Sequence, residues 1–86
     1  MNLADKGKKL GIVTHFYDKI GVGIVKLDSN LKVGDKLKFS GNNTDFEQVI
    51  SQMQFDHKDI ETAKKGQEVG IKLDGVVKKG DSAYIL

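Results

Sequence analysis

The sequence predicts an all-β domain, built as a small closed barrel of six strands with at most one helical turn. Three observations predict it. Short runs rich in β-branched and aromatic residues alternate with polar positions along the whole chain, separated by turns containing Gly and Asn. At 86 residues the chain is too short for two well-covered sheets, because a chain of this size hides only roughly 60–65% of the surface its unfolded form exposes. The closing run SAYIL, residues 82–86, would be a raw edge unless it paired back onto the opening strand.

Taken in order, residues 1–8 carry polar and glycine residues without periodicity and read as a lead-in to a domain over 9–86. LGIVTHFYD, 10–18, and VGIVKLD, 22–28, form a hairpin, with Gly23, Val25 and Leu27 on one face. DKLKFS, 35–40, alternates with Leu37 and Phe39 inward. GNNTD, 41–45, is a tight connection. It opens onto FEQVISQMQFD, 46–56, a single longer strand placing Val49, Met53 and Phe55 on one face. HKDIETAKKG, 57–66, breaks the alternation; Ile60, Ala63 and Lys64 have helical spacing, and Gly66 would end the turn. EVGIKLD, 68–74, puts Val69, Ile71 and Leu73 together, and SAYIL closes the sheet. Gly11, Gly23 and Gly70 stand inside strands, where bulges or bends let a small sheet curl.

A short pattern returns three times, as KVGDK at 32–36, KKGQE at 64–68 and KKGDS at 78–82. Each places a glycine two residues after a lysine and just ahead of a β run. A type II turn needs positive φ at its third position, so Gly34, Gly66 and Gly80 are structural turn glycines. The copies are not evenly spaced, which excludes a solenoid.

All 14 basic residues are lysines, against 12 acidic ones, for a net charge of +2. The absence of arginine argues against bidentate reading of nucleic-acid bases. There is no cysteine, hence no disulfide framework or thiolate metal site. The start MNLADKGKKL lacks the apolar run of a secretory leader, so the expected compartment is the cytoplasm, with no membrane partner. His15 and His57 fall on different elements without a third ligand. GVG at 21–23 lacks the third glycine of a dinucleotide fingerprint, and no phosphate-binding GxxxxGK segment occurs, so neither nucleotide nor cofactor is expected. No serine has a paired base in a nucleophile motif. The chain is therefore expected not to be an enzyme.

The order of hairpin, LKVGDKLKFSG, VISQMQFDHKDIETAKKGQEVGIKLDG and VKKGDSAYIL resembles domain 2 of translational GTPases such as elongation factor Tu, and more nearly the short translation-factor-like barrels that carry this domain alone. The resemblance runs over residues 10–86 and is sharpest at Val33-Gly34-Asp35, at Ala63 with Gly66, at Val69-Gly70 and at Gly80-Asp81. In elongation factor Tu this barrel helps hold the aminoacylated 3′ end of tRNA, with a carboxylate ahead of the loop leading to the glycine matched by Gly66; Gln54 stands near that position. The family's glycine-rich hairpin carries an arginine, which residues 19–25 lack. The resemblance implies a non-enzymatic module that docks tRNA, other RNA or a translation-related protein through Gln54, His57, Lys58 and the loop with Lys64 and Lys65. The alternative is a protein-binding scaffold or adaptor barrel without nucleic-acid contact.

Overall fold

In the computed structural model, residues 8–86 are described. Ten strands form: β1 (Lys8–Tyr17), β2 (Val22–Leu27), β3 (Leu31–Lys32), β4 (Lys36–Ser40), β5 (Asp45–Val49), β6 (Met53–Phe55), β7 (Lys58–Ile60), β8 (Thr62–Ala63), β9 (Glu68–Lys72) and β10 (Ser82–Ile85). Eight make one antiparallel sheet in the order β5-β4-β10-β1-β2-β9-β6-β7, and β3 pairs β8 in a two-stranded ribbon. The all-β class stands. The expected lead-in at 1–8 lies outside the described residues, apart from Lys8. Among the described residues no helix is long and apolar enough to cross a membrane.

The closed six-stranded barrel is corrected to a curled, open eight-stranded sheet. The run 46–56 was expected as one strand, but it breaks at 50–52 into β5 and β6, which stand six strand positions apart. Laid flat, six steps of about 4.8 Å would separate them by roughly 29 Å. The four Cα steps from Val49 to Met53 reach at most roughly 14 Å. The sheet must therefore curl until its β5 side comes near its β9–β6 side, although no ladder joins β5 to β6 among the described residues.

Side chains stitch this seam where backbone pairing is missing. Gln48 on β5, buried at 6% exposure, donates from Nε2 to the Lys72 carbonyl at 2.9 Å and accepts the Asp74 amide on Oε1 at 2.7 Å. The amide thus copies the donor and acceptor of one ladder residue. Beside it, Phe46 lies against Gly75 so closely that a Cβ there would come within 2.9 Å of the ring, and stacks on Phe39 at 5.3 Å between centroids. Lys72 donates its amide to the Gln52 carbonyl at 3.1 Å, carrying the seam into β6.

The break also shifts the inward phase by one residue. Gln48 and Ile50 are buried, and strict alternation would next bury Gln52; instead Gln52 is exposed and Met53 is the next buried residue. Val49, between the inward Gln48 and Ile50, faces outward at 54% exposure; Met53 is buried at 1%, and Phe55, past the end of the β6–β9 pairing at Gln54, is 39% exposed. Of the three residues expected to share one face, only Met53 is buried. The other faces agree with their alternation: Val25, Leu27, Leu37, Phe39, Val69, Ile71 and Leu73 join Leu10, Val13, Val77 and Ala83 in the core. The final strand pairs with the first, from Lys8 opposite Ile85 to Ile12 opposite Ser82.

The bulge expected at Gly11 is present, since the β1–β10 register shifts between Lys9 and Gly11. Those at Gly23 and Gly70 are not, because the β2–β9 ladder runs unbroken through both. At Gly23 a Cβ would come within 2.7 Å of Leu73 Cδ1. Close packing explains that glycine.

The helical turn expected over 57–66 is absent. In its place β6 and β7 form a hairpin, with Phe55 opposite Lys58, and β8 follows. The turn residues Asp56 and His57 both have positive φ, 55° and 64°, as a type I′ turn requires. Helical spacing at Ile60, Ala63 and Lys64 loses to sheet pairing, because Ile60 pairs Met53 and Ala63 pairs Leu31.

The three K-x-G copies fold alike. In each the residue after glycine donates its amide to the lysine carbonyl: Asp35 to Lys32 at 3.1 Å, Gln67 to Lys64 at 3.1 Å and Asp81 to Lys78 at 3.0 Å. The glycines have φ of 100°, 94° and 96°. The same side chain then folds back to accept the lysine's own amide, at 3.0 Å for Asp35, 2.8 Å for Gln67 and 2.8 Å for Asp81. Of the three, Asp81 alone is buried. Its carboxylate also accepts the Thr44 hydroxyl and lies over Gly41, where any Cβ would collide with it. One turn residue thus ties the β4–β5 connection to the entry of β10.

Replacing Gln48 with Ala leaves the Lys72 carbonyl and Asp74 amide without their partner and should lower unfolding free energy by about 2 kcal/mol, read from urea denaturation. Asp81→Ala removes two hydrogen bonds to a buried carboxylate and should cost about 2 kcal/mol, whereas Asp35→Ala, at a less buried copy of the same turn, should cost under about 1 kcal/mol. Equal losses at the two aspartates in the same denaturation assay would contradict the role given to burial.

Candidate binding surface

The β6–β7 hairpin stands at one end of the sheet, attached through Met53 opposite Ile71 and Gln54 opposite Gly70. It forms because β6 alternates around an inward Met53, and because a two-residue turn returns the chain in register. Clefts open on both sides of its base. One, of about 180 Å³, is lined by Val22, Gln52, Met53, Gln54, Gly70 and Lys72; the other, of about 450 Å³, includes Val33, Ser51, Asp59, Ile60 and Glu61 and shares Gln52 and Met53.

Two amides converge on one carboxylate here. Gln54 donates from Nε2 to Asp59 Oδ1 at 2.9 Å and Gln52 does so at 3.4 Å. Hydrogen bonds from Gln54 first and Gln52 second favour the charged form and hold the Asp59 carboxyl below the ordinary value of 3.8, against a smaller opposing effect of desolvation. The sign follows: a depressed folded pKa gives stability that is present above the unfolded value and fades as pH falls through the folded one.

The sequence-selected residues divide into two groups. Gln54 belongs to this hairpin, His57 forms its turn and Lys58 opens β7, all exposed. Lys64 and Lys65 lie on the β8–β9 turn instead, where the Lys64 amide bonds Gln67 and the Lys65 amide donates to Asn30 Oδ1 at 3.0 Å. No hydrogen bond or ion pair joins the two groups among the described residues. Because the connecting segment is paired strand rather than a helical turn, the single face drawn through all five is replaced by a hairpin and a separate turn. Sequence reasoning missed Gln52 and Asp59; the alternation Gln52, Gln54 pointed to them once the hairpin register was known. Among the described residues no group of three or more His, Cys, Asp or Glu side chains is placed to hold a metal ion.

No family model matches the chain. It is 43% identical over 79 residues, 91% of its length, to an uncharacterized protease of Methanocaldococcus jannaschii, and spans 19% of that protein. Its fold is similar to the C-terminal domain of a Geobacillus thermoleovorans protein described as a U32 peptidase. One crystal structure of that domain has a TM-score of 0.84 at 18% identity, covering 100% of this chain and 98% of the other. Its selenomethionine variant has a TM-score of 0.85 at 20% identity, covering 90% and 98%. The resemblance to translation-factor domain 2 is corrected by these relationships, and with it the expectation of a tRNA-docking, translation-factor-like module. The quoted motifs Val33-Gly34-Asp35 and Gly80-Asp81 are parts of type II turns. Such turns report backbone geometry and carry no partner information.

In a carbon-detected NMR titration, Asp59 should show a midpoint below 3.8. Gln54→Ala should move it upward, because the amide that stabilises the carboxylate is gone.

Proposed function

We propose that the chain acts as the accessory β domain of a U32-type peptidase, a part that binds and orients polypeptide while bond cleavage belongs to a separate catalytic part. The observation that carries this reading is the 43% identity over 79 residues to a protease of which the chain spans 19%. The likeness to the C-terminal domain of a U32 peptidase supports it at the level of fold. The surface supports it chemically. The clefts beside β6 and β7 present aliphatic side chains, amides, a lysine and carboxylates, groups that hold extended polypeptide by hydrogen bonding and apolar contact.

The test replaces the matching segment of the M. jannaschii protease with this chain and compares the graft with a deletion of that segment, using dye-labelled casein. Deletion should raise KM about tenfold, the equivalent of roughly 1.4 kcal/mol of remote binding energy, and the graft should restore it. A folded graft that behaves like the deletion would overturn the reading. Hydrolysis of casein by this chain alone would overturn its non-catalytic part.

A further inference from the structure

The β3–β8 ribbon offers a second surface. Leu31 opposite Ala63 and Lys32 opposite Thr62 fix its register, and the period of two then puts Asn30, Lys32, Thr62 and Lys64 on one face. Burial agrees: Leu31 and Ala63 are buried against the core, whereas those four are exposed. They line a cleft of about 360 Å³ together with Leu31, Ala63 and Asp35.

The polar groups of this face are almost all donors. Asn30 Oδ1 is occupied by the Lys65 amide at 3.0 Å, which leaves the Nδ2 group as the donor end of that side chain. Thr62 adds a hydroxyl, and Lys32 and Lys64 add two ammonium groups. Neither lysine has an ion-pair partner among the described residues; the pairs there are Lys36 with Glu47 and Lys38 with Asp45. The one carboxylate lining the cleft is Asp35, whose Oδ2 already accepts the Lys32 amide at 3.0 Å. With two ammonium groups against one carboxylate, the donor-rich lining is net positive and complementary to an anion.

We infer that this ribbon face binds the carboxylate of an acidic side chain carried by a polypeptide, with Lys32 and Lys64 supplying charge and Asn30 and Thr62 the directed hydrogen bonds. The anion site rests on the ribbon alone. The choice of a polypeptide as its carrier rests on the peptidase reading above.

The experiment is an amide-shift titration of the isotope-labelled chain with a short glutamate-rich peptide, its glutamine counterpart and inorganic phosphate. Saturable shifts at 30–32 and 62–65 are expected with the glutamate peptide and none with the glutamine one. Lys32→Gln combined with Lys64→Gln should weaken binding about tenfold, because two exposed charge contacts are lost together. A second variant, Lys78→Gln with Lys79→Gln, removes the same charge from another turn and should leave affinity within about twofold. Equal weakening in both variants, or shifts outside the ribbon only, would overturn the site. Phosphate saturating these residues as tightly as the peptide would overturn the polypeptide assignment. Failure of the protease graft with a saturable ribbon response would remove the peptidase reading and leave the anion site in place.

Discussion

The fold depends on a short link. Residues 50–52 must carry the chain between β5 and β6, strands that the hydrogen-bonding order sets six positions apart. A flat sheet cannot satisfy that demand, so curvature is imposed by covalent reach as much as by strand twist. Once the sheet curls, its concave side becomes a core. Leu10, Val13, Leu37, Phe39, Val69, Ile71 and Met53, drawn from strands throughout the order, meet there with almost no exposure. Such closure suits a chain this small, which has neither cysteine nor a second large sheet to supplement its burial.

What the seam lacks in backbone ladder it gains from Gln48, Phe46 and the Gln52 carbonyl. A buried amide is costly when unpaired and useful when both of its ends are satisfied. Gln48 falls in the second case, with a carbonyl on one side and an amide on the other. The arrangement lets β5 and β6 diverge around the link while the gap between them stays filled. That divergence is what leaves β7 as an outer strand with clefts at its base. The candidate surface is thus a by-product of how the seam is made.

The repeated lysine-glycine turns show how one local device takes on different work by position. Lys32, Lys64 and Lys78 start three turns with the same reciprocal bonds. The first two bracket the β3–β8 ribbon and lend it positive charge; the third buries its aspartate under Gly41 and Thr44 and becomes a fastening. The turns themselves would serve any anionic partner. Only the proposed role beside a peptidase makes polypeptide their ligand class, and that role rests on kinship with a protease rather than on turn geometry.

Several features were determined by sequence alone. Period-two patterns placed Val25, Leu27, Leu37, Phe39, Val69, Ile71 and Leu73 inward, because each of those strands keeps one phase from end to end. The lysine-glycine pattern identified its turns, since positive φ at a turn's third position is a local demand that glycine meets. Tertiary structure decided the rest. The phase slip at 50–52 put Met53 inward in place of Gln52, the end of the β6–β9 pairing at Gln54 left Phe55 exposed, and the type I′ turn at Asp56 and His57 uses residues other than glycine, so none of these leaves a local mark. The segment 57–64 has helical spacing but takes strand pairing, because the turn at Asp56 and His57 sets Ile60 opposite Met53 and the tertiary fold brings Leu31 opposite Ala63. The convergence of Gln52 and Gln54 on Asp59, and of Lys32 and Lys64 on one ribbon face, is likewise a matter of register, which is set between strands and not within them.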